Sequence, residues 1–599
     1  MASVWGELKR RNVVRVAVAY AIAAWLLIEI TATTFPILKL PDWSVTLVTV
    51  LVLIGFPLAL ILAWAFELTP EGIKKEKDVD RSESITHITG RKLDYLIIGV
   101  LMVALGFFAY DKFVLVPGRD AVEIEAAVQV AQEQVAGPVE PQDSIKSIAV
   151  LPFVNMSDDP GNEYFSDGIS EELLNLLAQI PELRVISRSS AFSFKGKDIA
   201  IPTVAEQLNV AYVLEGSVRK VGNRVRITAQ LIEARSDTHL WSESYDRTLD
   251  DVFAIQDEIA ANVVEQLKIT LLNPVPTSKE VNPEAHRLYL LGQYHLYKWK
   301  PADLEKAVRY FQQAIELDPQ YAQPHVALAI YYGAIGFWGY MPPRFAFEKE
   351  RAAAARALDI DSNLASAHAE HAQVYFLFDW DWEKAEEKFQ RALSLNSNYA
   401  DAHQFYAWFL VTMGRTEEAH TSIRRALELD PLAIFAYNTA ADVFYMSRQY
   451  DQAITQLHVA LDLSPNDPYV LCRIGWSHLQ KGMFTEAIGE MEQAVTLSPD
   501  IIEHHWMLGH AYAVAGKTAE ARKILDDLHA LAEKQYILPF AFALMHTGLG
   551  ENDEALAWLE RAYQDRNAWM VYLQVAPWLD PLRFDPRFQD LLRRMNFPE

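Results

Sequence analysis

The sequence predicts a multidomain chain in which three transmembrane helices precede a small α/β module and an all-α solenoid of helix pairs. Three observations lead there. Three apolar runs fall within residues 1–116. Strand-like and helix-like segments alternate from 144 to 272. Beyond Leu364, alanines return at 34-residue intervals, at Ala385, Ala419, Ala453, Ala487, Ala521 and Ala555. A chain of 599 residues also exceeds what one hydrophobic core can serve.

Residues 1–116 read as a membrane domain whose apolar runs are Val13 to Ile30, Val45 to Phe66 and Tyr95 to Val116. A helix crossing a bilayer needs roughly 20 apolar residues, which suits the first two. The third is clean only to Tyr110, leaving Asp111 and Lys112 for the far interface. Lys9, Arg10 and Arg11 would also suit a signal peptide, but no small-residue cleavage pattern leads to a soluble start, and a second run follows directly.

Lysine and arginine placement sets the orientation. Lys9, Arg10, Arg11 and Arg15 mark the first end, and Lys74, Lys75, Lys77, Arg81, Arg91 and Lys92 mark the second loop. The loop between the first two runs has Lys39 alone. The expected location is the bacterial inner (cytoplasmic) membrane, with a cytoplasmic N-terminus and a periplasmic chain after residue 116. Glu29 lies near the outer end of its run and can reach the interface, and Pro57 with Gly55 would kink the second span. One acid in three spans makes a poor transporter.

Residues 117–143, rich in Glu, Ala, Val and Gln and ending in prolines, read as a linker. The α/β module follows at 144–272. Ile145 to Phe153 is an apolar strand ended by the turn-rich run Asn155 to Gly161, and Phe165, Ile169, Leu173, Leu176, Leu177 and Ile180 carry helical periodicity. Leu183 to Ser187 is strand-like, and Val204 to Leu208 is a short helix. Gly222-Asn223 joins two strands as a hairpin, Leu240 to Tyr245 is a further strand, and Val252 to Leu267 is an amphipathic helix. This order implies a sheet covered by helices on one side. The runs Ile148 to Phe153, Tyr164 to Leu173 and Arg184 to Arg188 resemble the TolB-N-terminal-like module of bacterial envelope and signalling proteins.

The helix pairs occupy 284–568. Phe389, Ile423, Leu457, Met491, Leu525 and Leu559 follow the repeating alanines by four, and Ala392, Ala426, Ala460, Ala494 and Ala562 follow by seven, with Leu528 the exception. These offsets share one helix face, with small residues where two helices must approach. Pro431, Pro465 and Pro499 close successive units. The period and its small residues resemble the tetratricopeptide repeat, in about eight copies. The second copy breaks register: Ala314 to Ala357 is 43 residues, with the excess around Phe337 to Pro343. Residues 569–599 read as an amphipathic cap. The whole chain resembles a proteobacterial membrane-anchored family that joins the TolB-N-terminal-like module to such repeats. Some of its members carry a nucleotide cyclase domain, and no segment here corresponds to one.

In each pair the first helix should line a concave face. Gln404 and Trp408, then Asn438, Asp442 and Tyr445, then Tyr469, Cys472 and Trp476, then Glu503, Trp506 and His510 fall on one stripe. An aromatic and amide-lined trough suits an extended peptide or short helix. The expected partner-binding groove is therefore Gln404, Trp408, Asn438, Asp442, Tyr445, Tyr469, Trp476, Trp506 and His510. The competing reading for each aromatic is plain inter-helix core.

No catalytic, cofactor-binding or metal-ligating residue is assigned, no cofactor is expected, and the chain reads as a non-enzyme. Gly516-Lys517-Thr518 lacks its partner glycine, since residue 511 is Ala511. His504, His505 and His510 point to different helical faces, and Ser170 lacks the second glycine of a nucleophile elbow. Asp158 and Asp159 suit a turn. Cys472 is the only cysteine, which rules out an intrachain disulfide and a thiolate zinc site. The net charge is −25, and residues after 116 carry −26 of it against +1 before, so nucleic acid is not an expected partner. The expected partners are a protein or peptide in the groove and the lipid bilayer, and self-association into a homo-oligomer is compatible with both. The expected role is an inner-membrane-anchored periplasmic scaffold in envelope-complex assembly. The alternative is a sensory membrane protein whose α/β module binds a ligand and relays to a separate cytoplasmic effector.

Overall fold

The computed structural model describes residues 146–248, 251–269 and 281–597, with a few short stretches before residue 76. Residues 1–123 and 124–599 are two separate units. The runs Val13 to Ile30, Val45 to Phe66 and Tyr95 to Val116 and the 117–143 linker lie outside the described residues, apart from isolated positions. At those positions Tyr20 Oη donates to the Val52 carbonyl at 2.8 Å, and the Tyr20 and Phe56 rings lie 5.5 Å apart. β1 (Phe66–Thr69) and β2 (Gly72–Lys75) pair as an antiparallel hairpin, Thr69 opposite Gly72. Among the described residues no helix is long and apolar enough to cross a membrane.

The second unit begins with a sheet. Its strands are β3 (Lys146–Val150), β4 (Val154–Asn155), β5 (Leu183–Val185), β6 (Tyr212–Val221), β7 (Arg224–Glu233) and β8 (Thr238–Thr248), in the order β5-β3-β6-β7-β8 with β4 beside β6. β3 runs parallel to β5 and β6, and β6, β7 and β8 form an antiparallel meander. Gly222, at φ +58°, takes the first corner of the β6–β7 turn, where Val221 faces Arg224. A positive φ at that corner matches the turn to the twist of its strands, and glycine adopts it without strain.

Helices cover both faces of this sheet, not the single face expected from the sequence. α1 (Glu163–Ala178) and α4 (Val252–Gln266) bury Ile169, Leu173 and Ile259 with Ile148, Val150 and Leu214. α2 (Arg188–Phe192) and α3 (Ile201–Gln207) bury Ala191 and Val204 with Ala149, Leu151 and Val213. Side chains alternate along a strand, so the unbroken apolar run Ile148 to Leu151 is the mark of a strand buried on both sides.

Eight helix pairs follow among the described residues. They are α5 (Pro283–Leu296) with α6 (Pro301–Leu317), α7 (Gln323–Phe337) with α8 (Pro343–Ile360), α9 (Ala365–Val374) with α10 (Trp382–Leu395), and α11 (Ala400–Thr412) with α12 (Thr416–Leu429). Then come α13 (Ile434–Met446) with α14 (Tyr450–Leu463), α15 (Pro468–Gln480) with α16 (Phe484–Leu497), α17 (Ile502–Val514) with α18 (Thr518–Ala532), and α19 (Pro539–Gly548) with α20 (Asn552–Gln564). The six alanines spaced by 34 are all fully buried. The closeness they permit is visible at Gly475, where a Cβ would lie 2.9 Å from the Ala487 carbonyl oxygen of the partner helix.

The α/β module is fused to the array rather than strung ahead of it. Leu288, Tyr289, Leu290 and Phe311 of the first pair share one core with Ile169 and Leu173 of α1. At Gly168 a Cβ would come within 2.6 Å of the Leu290 methyl groups, so the missing side chain on α1 lets Leu290 of α5 pack against its backbone. Further along, Asn398 Nδ2 donates to the carbonyls of Ala178 at 3.1 Å and Leu183 at 2.8 Å. The Ser187 N–H donates to the Leu429 carbonyl at 2.7 Å, and the Ser190 N–H donates to Asp430 Oδ1 at 3.0 Å. The module thus bridges the first pair and the turns that end the third and fourth.

Candidate functional site

The first helices of the middle pairs carry the expected groove residues. Gln404 and Trp408 come from α11, Asn438, Asp442 and Tyr445 from α13, Tyr469 and Trp476 from α15, and Trp506 and His510 from α17. All are buried except Asp442 and Tyr469, which are half-buried. Asp442 pairs with the buried Arg473. His510 packs where a Cβ on Gly548 would lie 3.0 Å from its ring, and burial pushes its pKa down to about 4, so it is neutral. Among the described residues Asn438 Oδ1 has no hydrogen-bond partner.

The expectation of an open trough is corrected by what lies on it. After α20 the chain turns back, makes two 3₁₀ turns (Ala568–Tyr572 and Pro577–Leu582) and ends in α21 (Pro586–Arg594). The two turns seat their aromatics against the stripe. The Trp569 ring is 5.3 Å from Trp506 and 6.3 Å from Trp476, Trp578 is 5.2 Å from Trp476, and Tyr572 is 6.0 Å from Trp408. Phe337 stacks on Trp569 at 5.6 Å from the second pair. Polar contacts hold the segment in place: Arg448 Nη1 donates to the Val575 carbonyl at 3.0 Å and pairs with Asp580 at 2.9 Å. The Trp569 N–H donates to Asn567 Oδ1 at 2.9 Å. At the far end Trp382 Nε1 donates to the Met595 carbonyl at 3.1 Å, and Phe597 stacks on Trp382 at 4.9 Å.

The residues expected to cap the array therefore run back along its first helices to the third pair. The sequence did carry a signal for this. Trp569, Tyr572 and Trp578 are three large aromatics within ten residues, the last beside Pro577, and such groups need a wall to bury against.

The other candidates are structural. Ser170 Oγ donates to the Ser166 carbonyl at 3.1 Å and accepts the Phe153 N–H at 2.8 Å, which ties α1 to the loop after β3. Gly516, at φ +77°, makes the turn between α17 and α18. Ser498 Oγ lies 2.6 Å from His504 Nδ1, and His505 Nε2 lies 2.8 Å from the Pro499 carbonyl. Among the described residues no three His, Cys, Asp or Glu side chains gather as metal ligands. Cys472 is buried, and burial pushes its thiol pKa up, away from a reactive thiolate.

A family model described as HilA/YgeH-like transcriptional regulator, second domain, matches residues 144–262. The TolB-N-terminal-like resemblance expected there is a different description. Models described as tetratricopeptide repeat match 285–321, 381–441 and 432–580. A Rhizobium meliloti protein named "Putative adenylate cyclase 3" is 42% identical over 188 residues, covering 31% of this chain and 32% of that protein. Transcriptional regulator HilA of Salmonella typhimurium is 24% identical over 342 residues, covering 53% of this chain and 57% of the regulator. The chain thus spans about a third of one relative and just over half of the other. The structure of YrrB, described as a TPR protein with an unusual peptide-binding site, aligns at a TM-score of 0.24 and 21% identity, covering 34% of this chain and 96% of YrrB. The 34-residue period, the paired helices and the matching models together make residues 283–564 a tetratricopeptide-repeat array, a protein–protein interaction scaffold.

Proposed function

We propose that the chain is an inner-membrane-anchored scaffold that holds its array and α/β module in the periplasm and there assembles envelope proteins. The observation that carries this reading is the array itself, because stacked helix pairs offer extended surface to protein partners. The anchoring half rests on the three apolar runs and on the lysine and arginine asymmetry around them. Since the concave stripe is filled by the chain's own tail, the partner surface in this reading lies outside it.

Two experiments test the halves separately. An alkaline phosphatase fused after Glu599 is expected to be active and one fused after Lys77 silent, and the reverse pattern would overturn the periplasmic location. Cross-linked capture of the full chain in mild detergent is expected to yield envelope-assembly proteins. Recovery of a cyclase, kinase or regulator instead would favour a second reading, in which the α/β module senses a ligand and relays to a cytoplasmic effector. That reading is supported by the names of the relatives, an adenylate cyclase and a transcriptional regulator, each matched over part of its length. The core shared by α1 and α5 supports it too, because a shift in the module would be felt in the array.

A further inference from the structure

The stretch that breaks the repeat register, Phe337 to Pro343, reaches across to the seventh pair. Trp338 and Tyr340 line a cavity of about 170 Å³ together with Trp506 of α17, Tyr536 and Leu538 of the segment before α19, and Glu503. Gly339 sits at φ +74°, and a Cβ there would come 2.6 Å from Leu538 Cγ, so glycine lets the loop lie against this wall. Tyr340 is 61% exposed, which leaves the cavity open to solvent at that side.

Glu503 is the one charged group in the lining. It is 5% exposed, and among the described residues its Oε2 has no hydrogen-bond partner and no lysine, arginine or histidine lines the cavity. The carboxyl accepts from its own backbone N–H, and a buried carboxyl oxygen left over without a partner is costly and normally finds a cation or takes up a proton. Burial does push this carboxyl up, to about 7. An uncharged apolar ligand would leave Glu503 as it is, and a metal ion would find one carboxylate and the Gln535 amide among aromatic and aliphatic side chains. An organic cation answers both features, because aromatic faces attract cations and the carboxylate neutralises the charge. The space far exceeds the roughly 10–15 Å³ that one water needs.

We propose that this cavity binds an organic ammonium cation, held among the rings of Trp338, Tyr340, Trp506 and Tyr536 and paired with Glu503. The ammonium is either a free small cation or the end of a lysine side chain on a protein partner. The site is independent of the scaffold reading and of where the chain resides.

The test uses the full chain in mild detergent, titrated with choline and with Nα-acetyl-lysine methylamide and followed by calorimetry and tryptophan fluorescence. The uncharged choline isostere 3,3-dimethyl-1-butanol is the control. Saturable binding of at least one cation is expected, and the cation that binds identifies the source. The Glu503→Gln and Tyr340→Ala variants should each bind about tenfold more weakly or worse. Tyr340 is too exposed for its loss to unfold the chain, and Glu503→Gln keeps the side chain's shape. Failure of both cations to saturate, equal binding of the neutral isostere, or unchanged affinity in Glu503→Gln would each overturn the site.

Discussion

Trp569→Ala is expected to lower stability by about 3–5 kcal/mol, the usual cost of removing a large aromatic from a packed interior. Trp569 is almost fully buried and touches Phe337 of the second pair, Trp476 and Trp506 of the sixth and seventh, and Phe540 of the eighth. Its loss therefore opens a void at the point where distant pairs meet. The measurement is the urea midpoint of the full chain, read by fluorescence and by near-ultraviolet circular dichroism. Trp299→Ala is the control, since Trp299 is half exposed and surface changes usually stay within about 0.5 kcal/mol. Equal midpoints for the two variants would mean that the tail does not sit in the trough. The same packing implies that truncating Tyr445 and Trp476 weakens the fold itself, not only the capture of a partner.

Glu370→Gln is expected to stabilise the protein at pH 8 and to leave it nearly unchanged at pH 5. Glu370 of α9 is buried, and burial lifts its pKa from the ordinary 4.5 to about 8. Glu350 of α8 is fully buried beside it, neither of its oxygens has a hydrogen-bond partner among the described residues, and burial followed by the nearby Glu370 raises its pKa well above the usual carboxyl range. The folded chain therefore keeps a proton on Glu370 that the unfolded chain releases above about 4.5. Stability from this group is greatest below that pH and falls as pH rises toward 8, because the unfolded state then binds fewer protons. Glutamine removes the titration. The variant-minus-parent difference should grow by about 2 kcal/mol or more between pH 5 and pH 8, at roughly 1.4 kcal/mol per proton per unit. Taking that difference cancels the carboxylates elsewhere whose pKa is lowered by ion pairs, such as Asp246 between Arg226 and Arg224. A difference flat with pH would mean that Glu370 is ionised in the folded chain.

The sequence by itself determined the local architecture. Alanines at 34-residue spacing, each with a large apolar residue four later, define helix faces that have to pack closely. Gly222-Asn223 between two strand-like runs defines the β6–β7 hairpin. Both signals are short-range: they depend on residues a turn or a strand apart, whose geometry the backbone period sets. The helix that carries each residue from Gln404 to His510 was legible for the same reason, since offsets of three and four name the residues that share a face of one helix.

What lies opposite that face was decided only by the tertiary structure. Trp408 meets Tyr572, Trp476 meets Trp578, and Trp382 meets the Met595 carbonyl, each pair separated by more than a hundred residues. The same holds for Asn398 against Ala178 and for Tyr340 beside Glu503. Helical periodicity gives the direction in which a side chain points, but the element it meets depends on how small rotations between successive pairs add up around the array. An exposed aromatic trough and a buried aromatic core have the same residues at the same spacing, and only the path of the tail from Ala568 onward distinguishes them.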